Sequence, residues 1–276
     1  MRHVLLVLLF LLAGAHALRA QGVVVAPHAV YLDHRTRSAS ITLYNPAAEP
    51  TEVGIEFLFG YPVTDSLGDF TLLEPDSVTA EMPSAHRWIE AFPRRMTLAP
   101  LQRQTVRLLA RPPANLPDGE YWARVVIVAK GGSVPVSGAD SADISIGLNL
   151  EIRTRIPLTY RKGVLASGIS VSGIETRKTT ADSLAVRMHL ARQHTAAYVG
   201  TARGSLVDAR GKTVGSFMEP VAVYYDATPA FAIPVAGLPA GKYQLKVELS
   251  SDRPDITPEL LLKSATVRDS IAVELP

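Results

Sequence analysis

The chain has no cysteine among its 276 residues. That absence excludes disulfide stapling, thiolate metal sites and a cysteine nucleophile together. Net charge is nearly absent as well, with 28 Lys and Arg against 26 Asp and Glu. The first 20 residues hold two of the basic groups, Arg2 and Arg19, and no acid, so the remainder balances at 26 against 26. Nothing in that balance points to nucleic acid or another polyanion. Beyond residue 20 no run approaches the roughly 20 apolar residues that a membrane helix requires. Nothing longer than a turn or two shows the spacing of an amphipathic helix. A G-x-S-x-G elbow, a P-loop and a G-x-G-x-x-G sequence are all missing, and with them the usual nucleophile and phosphate signatures.

What the chain does have begins at its first residues. Arg2 and His3 precede an apolar run over 4–12 and the small-residue exits Ala15-His16-Ala17 or Leu18-Arg19-Ala20. This layout predicts a secretory signal peptide over 1–20, too short and wrongly flanked for a stable membrane span. The mature chain is expected to be exported and soluble, and without disulfides it must hold itself with packed cores. About 255 remaining residues suffice for two domains of roughly 100–150 each.

The most regular stretch is Ile144, Ile146, Leu148, Leu150 and Ile152, interleaved with Ser145, Gly147, Asn149, Glu151 and Arg153. Side chains alternate across a strand, so this stretch presents one apolar row and one polar row. It follows a small-residue segment, Gly131-Gly132-Ser133 through Gly138-Ala139-Asp140-Ser141, which reads as a flexible loop. Two fates fit the pattern: a half-buried strand of an ordinary sandwich, or an edge strand lent to a partner.

Leu116-Pro117-Asp118-Gly119-Glu120-Tyr121 recurs as Leu238-Pro239-Ala240-Gly241-Lys242-Tyr243, each copy running into a strand. A turn leading to a tyrosine at the start of a strand is how immunoglobulin-like sandwiches build a tyrosine corner, whose hydroxyl bonds back to nearby backbone. Two copies in two similar halves predict an all-β chain of two tandem immunoglobulin-like β-sandwich domains, 21–162 and 163–276, with the boundary near 160–163. Strand candidates are 23–32, 39–44, 51–59, 88–92 and 104–110 in the first half. In the second they are 168–174, 183–190, 198–207, 221–225, 244–249 and 265–275, with a hairpin connection at 208–212.

The first half resembles the periplasmic pilus-chaperone family, the PapD-like proteins, as a divergent member. The cues, in order, are the opening strand at 23–32 and Ser40-Ile41-Thr42-Leu43-Tyr44-Asn45. Next come Pro93-Arg94-Arg95-Met96-Thr97-Leu98-Ala99-Pro100 with Gln104-Thr105-Val106-Arg107-Leu108, and the turn ending in Tyr121-Trp122. The loop, the alternating strand and Arg155-Ile156-Pro157-Leu158-Thr159-Tyr160-Arg161 complete the series. Residues 23–161 carry the match, and 164–276 agree only in general character.

The resemblance implies a non-enzymatic periplasmic chaperone that lends the alternating strand to an unfinished pilin-like or other surface subunit. The lent residues would be Leu148, Leu150 and Ile152, with Ile146 and Ile144. An outer-membrane usher is a further implied partner. The exposed apolar edge also makes a self-capped dimer an expectation for the free protein. The family's basic anchor for the subunit's carboxylate falls here on His28 and Pro157, which cannot reproduce a fixed positive pair; Arg155 and Arg161 lie near enough to compensate. Arg35-Thr36-Arg37 copies the letters of the family's first-strand motif but reads as the turn before the second strand.

The remaining chemistry is sparse. His28, His34, His86, His189 and His194 include no metal-binding pair beyond the loose His189 and His194. Asp65, Asp69, Glu74 and Asp76 lie in a turn-rich region without a calcium-loop pattern and read as a solvated loop. No metal and no cofactor is expected. One of Tyr121 and Trp122 is expected to be buried while the other faces outward or packs at the domain junction. Tyr224-Tyr225 fits either an exposed aromatic patch or one ring on each face of a strand. The competing reading is a structural or adhesive immunoglobulin-like accessory protein, whose strand 144–152 is paired for good within its own sheet and its apolar row covered.

Overall fold

The computed structural model describes residues 22–136, 146–180 and 182–276. Ile144 and the segment 1–20 fall outside the described residues. The first part of the chain contributes β1 (Val24–Ala26), β2 (Val30–Asp33), β3 (Ser38–Tyr44), β4 (Thr51–Leu58), β5 (Tyr61–Thr64) and β6 (Phe70–Leu73). It continues through β7 (Ile89–Phe92), β8 (Arg95–Leu98), β9 (Arg103–Ala110), β10 (Gly119–Val136) and β11 (Ile146–Lys162). The second part contributes β12 (Ser167–Thr180), β13 (Ser183–His194), β14 (Tyr198–Val207), β15 (Thr213–Val223), β16 (Ala230–Pro234), β17 (Gly241–Ser250) and β18 (Val267–Leu275). Among the described residues the only helical element is a 3-10 turn at Pro258–Leu260.

Two sandwiches result. In the first, a sheet ordered β1-β3-β9-β7 faces one ordered β2-β11-β10-β4-β8. In the second, β12-β13-β16 faces β15-β14-β17-β18. The chain is therefore all-β, in two immunoglobulin-like layers-on-layers, and alternation explains the packing. Ile41 and Leu43 of β3 point inward at zero exposure, as do Val106 and Leu108 of β9, while Arg103, Thr105 and Arg107 face solvent. In β17, Tyr243, Leu245, Val247 and Leu249 enter the second core and Gln244, Lys246 and Glu248 stay outside.

Polar groups close the ends of these strands. Asn45, fully buried at the end of β3, donates from Nδ2 to the carbonyls of Glu49, Leu98 and Ala99 at 2.8, 3.1 and 3.2 Å, and its Oδ1 accepts from Ala47 N at 3.0 Å. One side chain thus ties β3 to the end of β8, with both amide N–H groups engaged and one shared between two carbonyls. Both tyrosine corners form: Tyr121 Oη donates to Pro117 O at 2.9 Å and Tyr243 Oη to Pro239 O at 2.8 Å. The hairpin connection at 208–212 is present too, with Asp208 Oδ1 accepting from Arg210 N and Lys212 N, each at 2.9 Å. Arg37, with φ of 51°, sits in the turn between β2 and β3, as expected for Arg35-Thr36-Arg37.

Several expectations need correction. The opening strand at 23–32 is two strands broken at Pro27-His28-Ala29, and β1 joins one sheet while β2 joins the other. A proline has no N–H to carry a ladder across that break. Gly131-Gly132-Ser133 is not loop: β10 continues through it, with a register shift between Lys130 and Ser133. The acidic region after β4 is not simply a solvated loop, because β5 and β6 form a hairpin there. The strand expected at 221–225 runs from Thr213 to Val223, and β16 was not anticipated.

The second core sets a tight limit at one glycine. Gly204 lies opposite Phe217 in the β14–β15 pair, and a Cβ there would stand 2.0 Å from the Phe217 ring. Phe217 cannot swing freely, since it stacks on Phe231 at 4.5 Å with the rings 8° apart. Gly204→Ala is expected to lower stability by roughly 1–3 kcal/mol. Denaturant unfolding of the full chain measures this, and an unmoved midpoint would show that the ring relaxes at no cost.

Candidate functional site

β10 and β11 pair with each other from Gly119–Lys162 at one end to Val136–Ile146 at the other. Their neighbours are much shorter. β4 accompanies β10 only from Arg124 to Lys130, and β2 accompanies β11 only from Leu158 to Arg161. The far end of the hairpin therefore leaves the sandwich as a two-stranded ribbon. Along β11 from Ile146 to Pro157, no strand among the described residues lies on the outer side. The N–H and C=O groups on that edge are a ready template for another strand.

The inward row of β11, apolar apart from Thr154, runs from this edge into the core. Tyr160, Leu158 and Ile156 are buried, Ile152 is half-buried beside Gly22, and Leu150 is exposed at 37%. Ile146 and Leu148 are described by their backbone pairing alone, opposite Val136 and Val134. Residues two apart share a face, so the row that packs the first sandwich is the row that the ribbon carries beyond it.

The opposite face of the ribbon is laced with ion pairs. Glu151 meets Lys130 at 3.2 Å and Arg153 at 2.7 Å, and Arg153 reaches Glu56 at 3.3 Å. Hydrogen bonds from Arg153 and Lys130 hold the Glu151 carboxyl below the usual carboxylate range. Arg155 pairs with Glu74 at 2.6 Å. His28 is exposed in the break between β1 and β2, near Asp255, whose carboxyl is held low chiefly by Arg253 and less by His28.

The near end of the hairpin builds the junction between the sandwiches. Glu120, 5% exposed, accepts from Trp122 Nε1 at 2.8 Å and Ala197 N at 3.1 Å on one oxygen, and from Arg161 Nε at 2.9 Å on the other. Ala197 belongs to the second sandwich, so a single carboxylate joins the two. Arg161 adds a hydrogen bond to Leu260 O and lies over the Tyr31 ring at 4.6 Å. Burial pushes the Tyr31 phenol up to about 12, so the ring stays neutral beneath the guanidinium.

Around this carboxylate an aromatic cluster forms. Trp122, 1% exposed, meets Tyr224 edge-on at 4.5 Å and Tyr225 at 5.6 Å, and Phe59 and Ala197 complete the buried group. Of the pair Tyr121 and Trp122, Trp122 is thus the junction residue, while Tyr121 packs half-buried against the first core. Tyr224-Tyr225 is neither an exposed patch nor a simple two-faced pair, because both rings contact Trp122.

Arg155 and Arg161 therefore each have an acidic partner within the chain, Glu74 and Glu120. The acidic residues Asp65, Asp69, Glu74 and Asp76 do not converge, and among the described residues no group of three or more metal-ligating side chains does. His189 lies 3.8 Å from Asp226 rather than beside His194. No helix among the described residues is long and apolar enough to cross a membrane. Glu120 and Ala197 gave no signal in the sequence: the first sat inside a repeated turn, and the second acts only through its backbone.

No protein-family model matches the sequence, and no curated protein matches it. Among solved structures the chain is similar to the YadV chaperone, at 16% identity and a TM-score of 0.47 over 92% of this chain and 100% of that one. It is similar to the SafA pilin–SafB chaperone structure of Salmonella enterica, at 14% and 0.44 over 92% and 99%. A third similarity is to the chaperone–tip subunit complex CsuC–CsuE of Acinetobacter baumannii, at 14% and 0.46 over 90% and 98%.

Glu120→Ala removes three hydrogen bonds from the junction and leaves Arg161, whose side chain is 18% exposed, without its counter-ion. Breaking a buried pair from one side costs roughly 3–5 kcal/mol. The expected outcome is a loss of that order in chemical unfolding. A loss no larger than that of an exposed substitution would show that water replaces the carboxylate.

Proposed function

We propose that the chain is an exported, non-enzymatic chaperone that binds a pilin-like or other surface-assembled subunit by offering β11 as an edge strand. The observation that carries this reading is the outer edge of β11 from Ile146 to Pro157, which no strand among the described residues accompanies, on a row whose Leu150 is exposed while Ile156 and Leu158 are core. An extended partner segment laid on that edge would gain main-chain hydrogen bonds for affinity and pockets for the apolar row for specificity.

The energetics are adequate. Burying one Leu or Ile side chain is worth roughly 1.5–3 kcal/mol, so Ile146, Leu148, Leu150 and Ile152, with Ile144, offer several such increments against the cost of association. The ion pairs along the opposite face stiffen the ribbon's polar side and keep it apart from the apolar one. Specificity then rests on the strand rather than on a charged anchor, since Arg155 and Arg161 are engaged by Glu74 and Glu120. The place of action is the periplasm, and an outer-membrane usher fits as the acceptor of the loaded complex.

Affinity purification of the tagged protein from the periplasm of its own host, followed by mass spectrometry, tests this against Leu148→Glu/Leu150→Glu. A small β-rich subunit is expected with the parent protein and at least tenfold less of it with the variant, which corresponds to about 1.4 kcal/mol. Equal recovery with a folded double variant would rule out strand donation. Absence of any subunit from both would favour the structural or adhesive reading.

A further inference from the structure

The β5–β6 hairpin leaves the first sandwich and ends on the second. Its turn is closed by its own groups: Asp65 N donates to Asp69 O at 3.0 Å, Gly68 N to Asp65 O at 3.1 Å, and Asp65 Oδ1 accepts from Leu67 N at 2.9 Å and Asp69 N at 3.0 Å. The Asp65 carboxylate is thereby committed to the turn. The tip is consequently a stiff local unit, held without help from the rest of the protein.

That tip makes three hydrogen bonds to the second sandwich. Ala230 N donates to Gly68 O at 3.0 Å, Thr228 N to Thr64 Oγ1 at 2.8 Å, and Arg187 Nη2 to Ser66 O at 2.8 Å. The approach is close, since a Cβ at Gly68 would lie 2.6 Å from Ala230 N and Cβ, and Gly68 adopts φ of +92°. At the base of the hairpin Tyr61 meets Tyr225 edge-on at 4.9 Å. The covalent link offers no comparable restraint. Residues 163–166 join β11 to β12, Gly163 has φ of +78°, and Val164 is 99% exposed.

We propose that the β5–β6 hairpin is an interdomain strap: its tip, docked on β13, β16 and the segment before β16, fixes the angle of the second sandwich to the first. The sandwiches are then held in two places, the junction of Glu120, Arg161 and the Trp122 aromatic cluster near the linker and the strap tip on β13 and β16. Contacts gathered at one junction resist rotation of one sandwich on the other less than a second attachment placed at the hairpin tip does. The strap is independent of whether β11 is ever donated.

The absence of cysteine makes the test clean, because nitroxide labels at Thr105→Cys and Lys246→Cys, both exposed positions, report one distance between the sandwiches. A narrow distance distribution is expected for the parent pair. Arg187→Ala with Thr64→Ala removes two hydrogen bonds and leaves the turn's own bonds in place; Gly68→Val drives a side chain into Ala230. Both are expected to broaden the distribution and shift its mean, with circular dichroism melting confirming that the variants are folded. A parent-like distribution in the folded Arg187→Ala/Thr64→Ala variant overturns the strap, even where Gly68→Val shifts it, since that change also strains the turn.

Discussion

The pairing of β10 with β11 is the constraint on which the rest depends. These two strands form the middle of the first sandwich, and the same ladder runs past it in both directions. At one end it sets Glu120, Trp122 and Arg161 where the second sandwich can use them. At the other it becomes a ribbon whose outer edge carries no strand among the described residues. Because strand side chains repeat every two residues, one register fixes both ends: the inward row that packs Ile156, Leu158 and Tyr160 is the row that surfaces at Leu150.

The junction shows how a buried charge is made tolerable. A carboxylate away from water is costly unless hydrogen-bonded and paired. Glu120 meets that condition with an indole N–H, a backbone N–H and a guanidinium. Its partners come from both sandwiches, so the requirement to satisfy one acid becomes a requirement on domain placement. The aromatic rings around it exclude solvent, and the β5–β6 hairpin attaches at a separate point. Under the proposed function, an edge strand held on such a frame would meet its partner with its shape already set, which lowers the ordering cost of association.

Local patterns were the legible part. The repeated turn before Tyr121 and Tyr243 announced two corners, and both hydroxyls bond back to the proline carbonyl four residues earlier. Alternation located most strands, because a half-buried strand writes its two faces directly into the sequence. The β5–β6 hairpin was harder: its acidic and small residues look solvated, and only their contacts with Thr228, Ala230 and Arg187, more than 100 residues away, give them another role. Continuation of β10 through Gly131 and Gly132 was equally hidden, since glycine reads as loop until a partner strand is seen beside it.

By itself the sequence determined the all-β class, the two sandwiches, the corners and the alternating strand, since turn chemistry and side-chain periodicity act over a few residues. Only tertiary structure decided which basic groups are engaged, which aromatic rings meet, and which stretch of β11 the described strands leave unpaired. Those outcomes depend on what distant segments bring alongside. Arg155 acquires Glu74 and Arg161 acquires Glu120 through folding, and the β2 pairing ends at Leu158, with no strand among the described residues on that edge beyond it.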